Sequence, residues 1–167
     1  MTSGVRTLAV AGCALALSAC AGSEGVHDYI GHGHCIPDAE QTRLVEAADW
    51  SQARSVDIRI RQGRFDPPYL VMKQNQPHVL TLTNDDDEKQ AFQARDFMTQ
   101  VAVGGVKVGQ DQYILNCINV VVVPPHGTAE LRIIPTVDGD FDFHDGTLIF
   151  PGPELAGINM GYIKVER

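Results

Sequence analysis

The sequence predicts an all-β fold, a Greek-key β-sandwich with a short N-terminal helix. From residue 55 to the C-terminus, short stretches of alternating apolar and polar residues recur, and a period of two is typical of strands with one buried face. Clusters of acidic residues, glycine and proline, which favour turns, separate these stretches. Before residue 55, one segment has the spacing of a helix. Many short strands and almost no helix indicate two packed sheets.

The first 19 residues have the features of a bacterial lipoprotein signal. Arg6 precedes an apolar run at residues 8–17, which is too short to span a bilayer because a spanning helix takes about 20 residues. The run ends at the tetrad Leu17-Ser18-Ala19-Cys20, which resembles a lipobox. The resemblance implies removal of residues 1–19 and lipidation of Cys20, whose acyl chains would hold the protein at a membrane. An ordinary signal peptide with a coincidental cysteine is the alternative.

This signal predicts a location in the bacterial cell envelope, with the domain facing the periplasm. Ala21 follows the cysteine and is, by the same resemblance, compatible with sorting to the outer membrane. The net charge is −8 at pH 7, which argues against nucleic acid and anionic lipid as partners. We expect contact with the membrane through the lipid anchor, and a cation or a periplasmic protein as partner.

Residues 20–54 are predicted to form a tether that contains the short helix. Its glycine-rich part carries His32, His34 and Cys35, and imidazole and thiolate groups suit copper and zinc. These residues are a secondary metal candidate, with a polar linker as the alternative. The helix is predicted to have Asp38 as its N-cap and Gln41 three residues on, as in a capping box. We expect it to pack on the edge of the following domain.

Cys35 and Cys117 are the cysteines that remain in the mature chain once Cys20 is lipidated. In an oxidising compartment they are expected to form a disulfide, which would fasten the tether to the sandwich. The alternative is that one of them is a metal thiolate.

The domain at residues 55–167 is predicted to consist of short strands. Val56, Ile58 and Ile60 alternate with charged residues in the first of them. Residues 118–123 are expected to form a strand that is buried on both faces, and residues 96–103 an irregular or helical insert. The remaining predicted strands lie at residues 69–73, 79–83, 90–94, 131–133, 141–144 and 161–166.

The order of these elements resembles that of the cupredoxins, the superfamily of blue copper proteins. The family's pattern runs through aromatic-x-Pro, an Asn and an acidic turn before His-x-Phe, a Pro-Gly turn, Gly-x-Tyr/Phe-x-Phe-x-Cys and Gly-Met-x-Gly-x-Ile-x-Val. The corresponding segments of this chain are residues 65–67, 84–92, 125–129, 139–144 and 157–165. The resemblance implies a cupredoxin-like sandwich with copper as the cofactor of the family.

The ligand positions implied by the resemblance carry other residues. A blue site needs a thiolate, two imidazoles and a weak axial thioether. Gln90 stands at the first histidine position, His144 is assigned to the cysteine position, and Met160 is displaced from the methionine position, which Ile158 occupies. No histidine follows His144 in the sequence. A blue copper centre is therefore not expected, and the hypothesis is a different copper site on His144 and Met160 with Gln90 or Asp142.

Two functions follow from this sequence. The first is copper handling, or support of electron transfer, at a non-blue site, and the alternative is a metal-free interaction or assembly module. We do not expect an enzyme, because the sequence has no nucleophile–base motif, no phosphate-binding glycine loop and no ligand set for a catalytic metal. His78 and His126, near turns, and the acidic residues 85–88 are expected to be solvated.

Overall fold

The computed structural model of the protein describes the backbone of residues 26–28 and all atoms of residues 35–146 and 160–167. The predicted lipoprotein signal with Cys20, and also His32, His34 and Ile158, lie outside the described residues. No helix within the described ranges is long and apolar enough to cross a membrane.

The described chain is mostly strand. The helices are α1 (Asp38–Ala47) and α2 (Arg95–Met98), and a 3-10 turn at Trp50–Gln52 follows α1. The strands are β1 (Val26–Asp28), β2 (Arg54–Arg61), β3 (Arg64–Asp66), β4 (Tyr69–Lys73), β5 (His78–Asn84), β6 (Gln90–Gln93), β7 (Val101–Val108), β8 (Asp111–Tyr113), β9 (Ile118–Val123), β10 (Thr128–Pro135), β11 (Gly139–Asp145) and β12 (Met160–Glu166).

These strands form two sheets. Sheet A has the order β1-β9-β6-β11-β12-β4, and sheet B has the order β3-β2-β5-β10-β7-β8. Neighbouring strands are antiparallel except for the pairs β4–β12 and β2–β5, which are parallel. Consecutive strands lie in the same sheet only for the pairs β2–β3, β7–β8 and β11–β12 among the described strands, and every other connection between described strands passes from one sheet to the other. The predicted β-sandwich is confirmed.

The core lies between the two sheets and contains a cluster of three phenylalanines. Phe65, Phe92 and Phe143 have ring centroids 5.0 to 6.1 Å apart. Sheet B contributes Phe65 to this cluster, and its Ile58 and Ile60 are buried, as the alternation in β2 predicts. Burying each large apolar side chain contributes about 1.5–3 kcal/mol, so this alternation supplies much of the stability of the sandwich.

The N-terminal segment contributes a strand that the sequence does not predict. Val26–Asp28 forms β1 and pairs with β9 in antiparallel fashion. The segment was expected to be a tether, and three residues are too few to show a period of two. Pairing with β1 covers the edge of β9, and an uncovered edge is a site for unwanted strand association.

Helix α1 begins one residue earlier than the sequence predicts, and its capping box is absent. Its N-cap is Pro37, and no side chain caps the helix. Gln41 is buried and has a tertiary role instead. Its Nε2 donates to Asn116 Oδ1 at 3.1 Å, and its Oε1 accepts from the Val103 N–H at 3.4 Å. Gln41 therefore docks α1 on β7, as expected for a helix at the domain edge.

The irregular or helical insert that was predicted for residues 96–103 is helix and turn up to residue 100, and strand β7 replaces its last three residues. Helix α2 is short, and strand structure starts at Val101. Gly104 and Gly105 interrupt the alternation of apolar and polar residues, which hides this strand in the sequence. Gly104 is required because the indole ring of Trp50 lies where its Cβ would be.

Strand β9 was expected to be buried on both faces, and this prediction is wrong. Ile118, Val121 and Val123 are buried, whereas the other residues of the strand are partly exposed. One face of β9 meets the core and the other faces outward. Valine is favoured on a pleated surface whether or not both faces are covered.

Candidate metal centre

Cys35 and Cys117 form a disulfide that links the segment before α1 to the start of β9. Neither sulfur is therefore available as a thiolate ligand. The secondary metal candidate made of His32, His34 and Cys35 loses its thiol as a result, and its two histidines lie outside the described residues.

His144 and Met160 are brought together by the pairing of β11 with β12. They are directly opposite each other in this antiparallel pair, which places their Cβ atoms about 4.5–5.5 Å apart. Both lie on the outer face of sheet A, because the alternate residues Phe143 and Gly161 are buried. Met160 is 36% exposed. The imidazole of His144 and the thioether of Met160 are thus neighbours on a solvent-accessible surface.

Gln90 does not join this pair. His144 pairs with Gln93, three residues further along β6, so Gln90 is displaced by about 10 Å along the strand and points to the opposite face. Gln90 is buried, and its Nε2 donates to Asp86 Oδ2 at 3.1 Å. The hypothesis of a site shared by His144, Met160 and Gln90 must therefore be corrected, because sheet alternation separates Gln90 from the others.

The assignment of His144 to the cysteine position also needs correction. In the pattern Gly-x-Tyr/Phe-x-Phe-x-Cys, the cysteine is the seventh residue, and counting from Gly139 gives Asp145. The structure agrees with this count, since Asp145 is buried and lies opposite Phe92 on the inner face of sheet A. Its Oδ1 accepts a hydrogen bond from the Ala91 N–H at 3.3 Å. The spacing of the pattern could have identified Asp145 from the sequence.

Gln90 and Asp145 therefore occupy the inward positions where the family pattern has a histidine and the cysteine. They are diagonal neighbours across β6 and β11, a relationship that separates two residues by about 7–8 Å. An amide and a carboxylate offer oxygen in place of imidazole nitrogen and thiolate sulfur. Within the described ranges, no three residues of histidine, cysteine, aspartate or glutamate are grouped so that they could hold a metal. The residues present do not fit a blue copper centre.

Asp86 accounts for the way Gln90 is held. Its carboxylate accepts from the backbone N–H groups of Gln62 and Gly63 at 2.6 and 2.8 Å, and from Gln90 Nε2. Beside it, the hydrogen bond from Arg61 lowers the pKa of Asp85 below its usual value of 3.8. The acidic turn at residues 85–88 is thus partly built into the structure, and not simply a solvated segment as expected.

The two histidines that were expected to be solvated differ from each other. His126 is exposed, and its Nε2 lies 2.9 Å from Asp87 Oδ1. His78 is completely buried. The residues two and four positions further along β5 face the core, so His78 lies on the buried face of that strand. In the sequence, only the alternation of β5 indicates this burial.

A cleft of about 290 Å³ adjoins His144 on the outer face of sheet A. It is lined by Gln93, Arg95, Asp96, Asp142 and His144. We call this group the polar cleft. It carries one cationic guanidinium and two carboxylates, so it favours neutral or cationic species over anions.

No protein-family model and no curated protein matches the chain. Among solved structures, it is similar to a multicopper oxidase from Pediococcus acidilactici, with a TM-score of 0.52 and 13% identity over 72% of this chain and 27% of that one. A multicopper oxidase from Campylobacter jejuni, described as a metallo-oxidase, gives a TM-score of 0.48 and 12% identity over 68% of this chain and 30% of that one. Auracyanin B gives a TM-score of 0.44 and 14% identity over 69% of this chain and 90% of that one.

The chain thus spans less than a third of the length of either oxidase. At these identities the likeness concerns the fold alone. The chain has a cupredoxin-like fold, and the resemblance drawn from the sequence is confirmed at that level.

Proposed function

We propose that this chain is a lipid-anchored copper-handling protein of the bacterial cell envelope, which binds Cu(I) through His144 and Met160. One observation carries the proposal, the direct cross-strand pairing of these two residues on an exposed sheet face. Imidazole nitrogen and thioether sulfur together favour Cu(I) over harder cations.

The surroundings of the pair support cation binding. Asp142 lies on the same face of β11 and lines the polar cleft with His144. Its carboxylate and that of Asp96 attract a cation, and the guanidinium of Arg95 offsets part of this attraction.

The exposure of the pair supports transfer of copper in preference to tuned electron transfer or catalysis. A partly exposed site with few ligands releases its metal readily, whereas a redox centre depends on a buried ligand set with fixed geometry. We therefore propose a binding protein and not an enzyme, with a periplasmic protein that donates or accepts copper as its partner.

The proposed location depends on the N-terminal signal. Lipidation of Cys20 would attach the domain to the outer membrane, with residues 20–25 between the anchor and β1. Support for this part of the proposal comes from the sequence alone.

A competitive titration tests the copper site. Cu(I) is added without oxygen to the full chain in the presence of a chromogenic Cu(I) chelator. His144→Ala and Met160→Leu should each weaken the affinity by about tenfold or more, since each removes one ligand. His126→Ala is the matched control, because it removes an exposed histidine outside sheet A's outer face, and it should change nothing.

The two histidines before α1, His32 and His34, need a separate variant in this titration. The double variant His32→Ala/His34→Ala should still bind Cu(I) at the site that contains His144. Equal affinity in the wild type, His144→Ala and Met160→Leu would refute the proposed site.

A metal-free interaction or assembly module is the second candidate. The observation in its favour is that Gln90 and Asp145 are bonded to protein groups, Gln90 to Asp86 and Asp145 to the Ala91 N–H. The pattern's ligand positions thus hold the turn and strands together without metal. The titration decides between the two candidates, because this one predicts no Cu(I) binding by the described domain.

A further inference from the structure

Two exposed tyrosines lie side by side on the outer face of sheet A. Tyr69 and Tyr162 are register partners in the parallel pair β4–β12, and they are 51% and 54% exposed. Their strands are about 4.8 Å apart. We call them the tyrosine pair. Large exposed aromatic groups that adjoin each other mark a binding surface more often than single exposed residues do.

The tyrosine pair is continuous with the polar cleft. Asp142 is directly opposite Tyr162 in the pairing of β11 with β12, and it lines the cleft with His144 and Gln93. The surface therefore crosses β6, β11, β12 and β4, a width of three strand spacings or about 14 Å. A ligand that covers it must be extended.

The side chains that line the cleft carry both hydrogen-bond donors and acceptors. The side chains of Gln93, Arg95, Asp142 and His144 line the cleft. Within the part of the chain that the structure describes, no hydrogen bond or ion pair joins them to another side chain. Polar side chains that converge without bonding to each other offer both donors and acceptors.

The chemistry of the combined surface defines the class of ligand. Hydroxyl groups both donate and accept, so they suit a cleft that holds carboxylates, an amide, an imidazole and a guanidinium. The two carboxylates outnumber the one guanidinium, which disfavours anionic ligands. Tyrosine rings offer broad apolar faces, which match the C–H face of a pyranose ring.

We propose that the outer face of sheet A binds an extended neutral glycan. One C–H face of the chain rests on the tyrosine pair, and its hydroxyls bond to the polar cleft, with Asp142 between the two regions. The surface shares His144 and Asp142 with the proposed copper site, so Tyr162 is the residue that separates the two proposals.

Isothermal titration of the full chain with cellohexaose and with chitohexaose tests the proposal. Tyr162→Ala and Asp142→Ala should each weaken binding by about tenfold, whereas Tyr162→Phe keeps the ring and should retain most of the affinity. Ile114→Ala is the matched control, because Ile114 is 90% exposed and lies in the β8–β9 connection. Thermal melts of each variant confirm that it is folded.

Two results would overturn the proposal. One is the absence of heat of binding for both oligosaccharides at about millimolar concentration. The other is binding that Tyr162→Ala and Asp142→Ala leave unchanged. Both are independent of the copper titration, in which Tyr162→Ala should behave as the wild type.

Discussion

The backbone N–H of Lys73 donates a hydrogen bond to Nε2 of His78 at 3.1 Å. On the other side of the ring, Nδ1 lies 2.8 Å from the carbonyl oxygen of Gln76. Because Nε2 accepts, Nδ1 carries the proton and donates to Gln76, so the imidazole is neutral. Burial lowers the pKa of His78 below its usual 6.5, and the hydrogen bond to Gln76 opposes this shift only in part.

The depressed pKa of His78 predicts a loss of stability in mild acid. Between the depressed pKa of the folded protein and 6.5, the unfolded chain binds more protons at this residue than the folded protein, so the free energy of unfolding falls as the pH falls. Urea unfolding at pH 7.5 and at lower pH measures this slope. The control His78→Gln should be less stable at neutral pH and should show a shallower decline between pH 7 and 5. An equal slope in both proteins would contradict the assignment.

The disulfide should contribute strongly to stability. Cys35 and Cys117 are separated by 82 residues, and closing a loop of this order contributes about 4 kcal/mol in the chain-entropy model. Urea unfolding with and without a reductant, repeated on Cys35→Ser, measures the contribution. Intact mass under non-reducing conditions confirms the bond, and two alkylatable thiols in the native protein would contradict it.

Asp86 should be the important residue of the acidic turn. It accepts hydrogen bonds from Gln62, Gly63 and Gln90, and leaving such donors unpaired costs about 1–3 kcal/mol. We expect Asp86→Ala to lower the free energy of unfolding by this amount. The neighbouring Asp87 is 97% exposed at its side chain, so Asp87→Ala should have almost no effect. Comparable losses of unfolding free energy in the two variants would contradict this, because they would show that the negative charge of the turn matters and not the hydrogen bonds of Asp86.

Gly104 and Trp50 should be energetically coupled. A Cβ at residue 104 would overlap the indole ring, and overpacking of this kind costs about 1–3 kcal/mol. Gly104→Ala should therefore destabilise the wild type but have a smaller effect in Trp50→Ala. A double-mutant cycle from chemical unfolding measures the coupling. Additive effects would indicate that the ring moves aside without cost.

Copper(II) should give no intense blue colour with the oxidised protein. The strong visible band of a blue site comes from a copper–thiolate bond, and Cys35 and Cys117 are joined to each other. Visible absorption during Cu(II) addition checks this. An intense band near that of blue proteins would overturn the ligand assignment and indicate that a cysteine sulfur binds the metal.

Several features could be predicted from the sequence because their signals are local. Alternation in β2 identifies the buried Ile58 and Ile60, and the β-sandwich class follows from many such stretches. The cupredoxin-like arrangement is detectable from the order of its segments. Counting along the pattern Gly-x-Tyr/Phe-x-Phe-x-Cys places Asp145 at the cysteine position, although His144 was assigned to it.

Other features depended on the tertiary structure, because they arise between residues that are distant in sequence. The register of β11 with β12 and β6 places His144 opposite Met160 and separates both from Gln90, and no local period encodes that register. Gln41 was predicted to cap its own helix and instead bonds to Asn116 and Val103. Strand β7 was hidden because its glycines make room for Trp50. Side-chain alternation fixes which residues face the core, whereas strand pairing decides which outward-facing residues become neighbours.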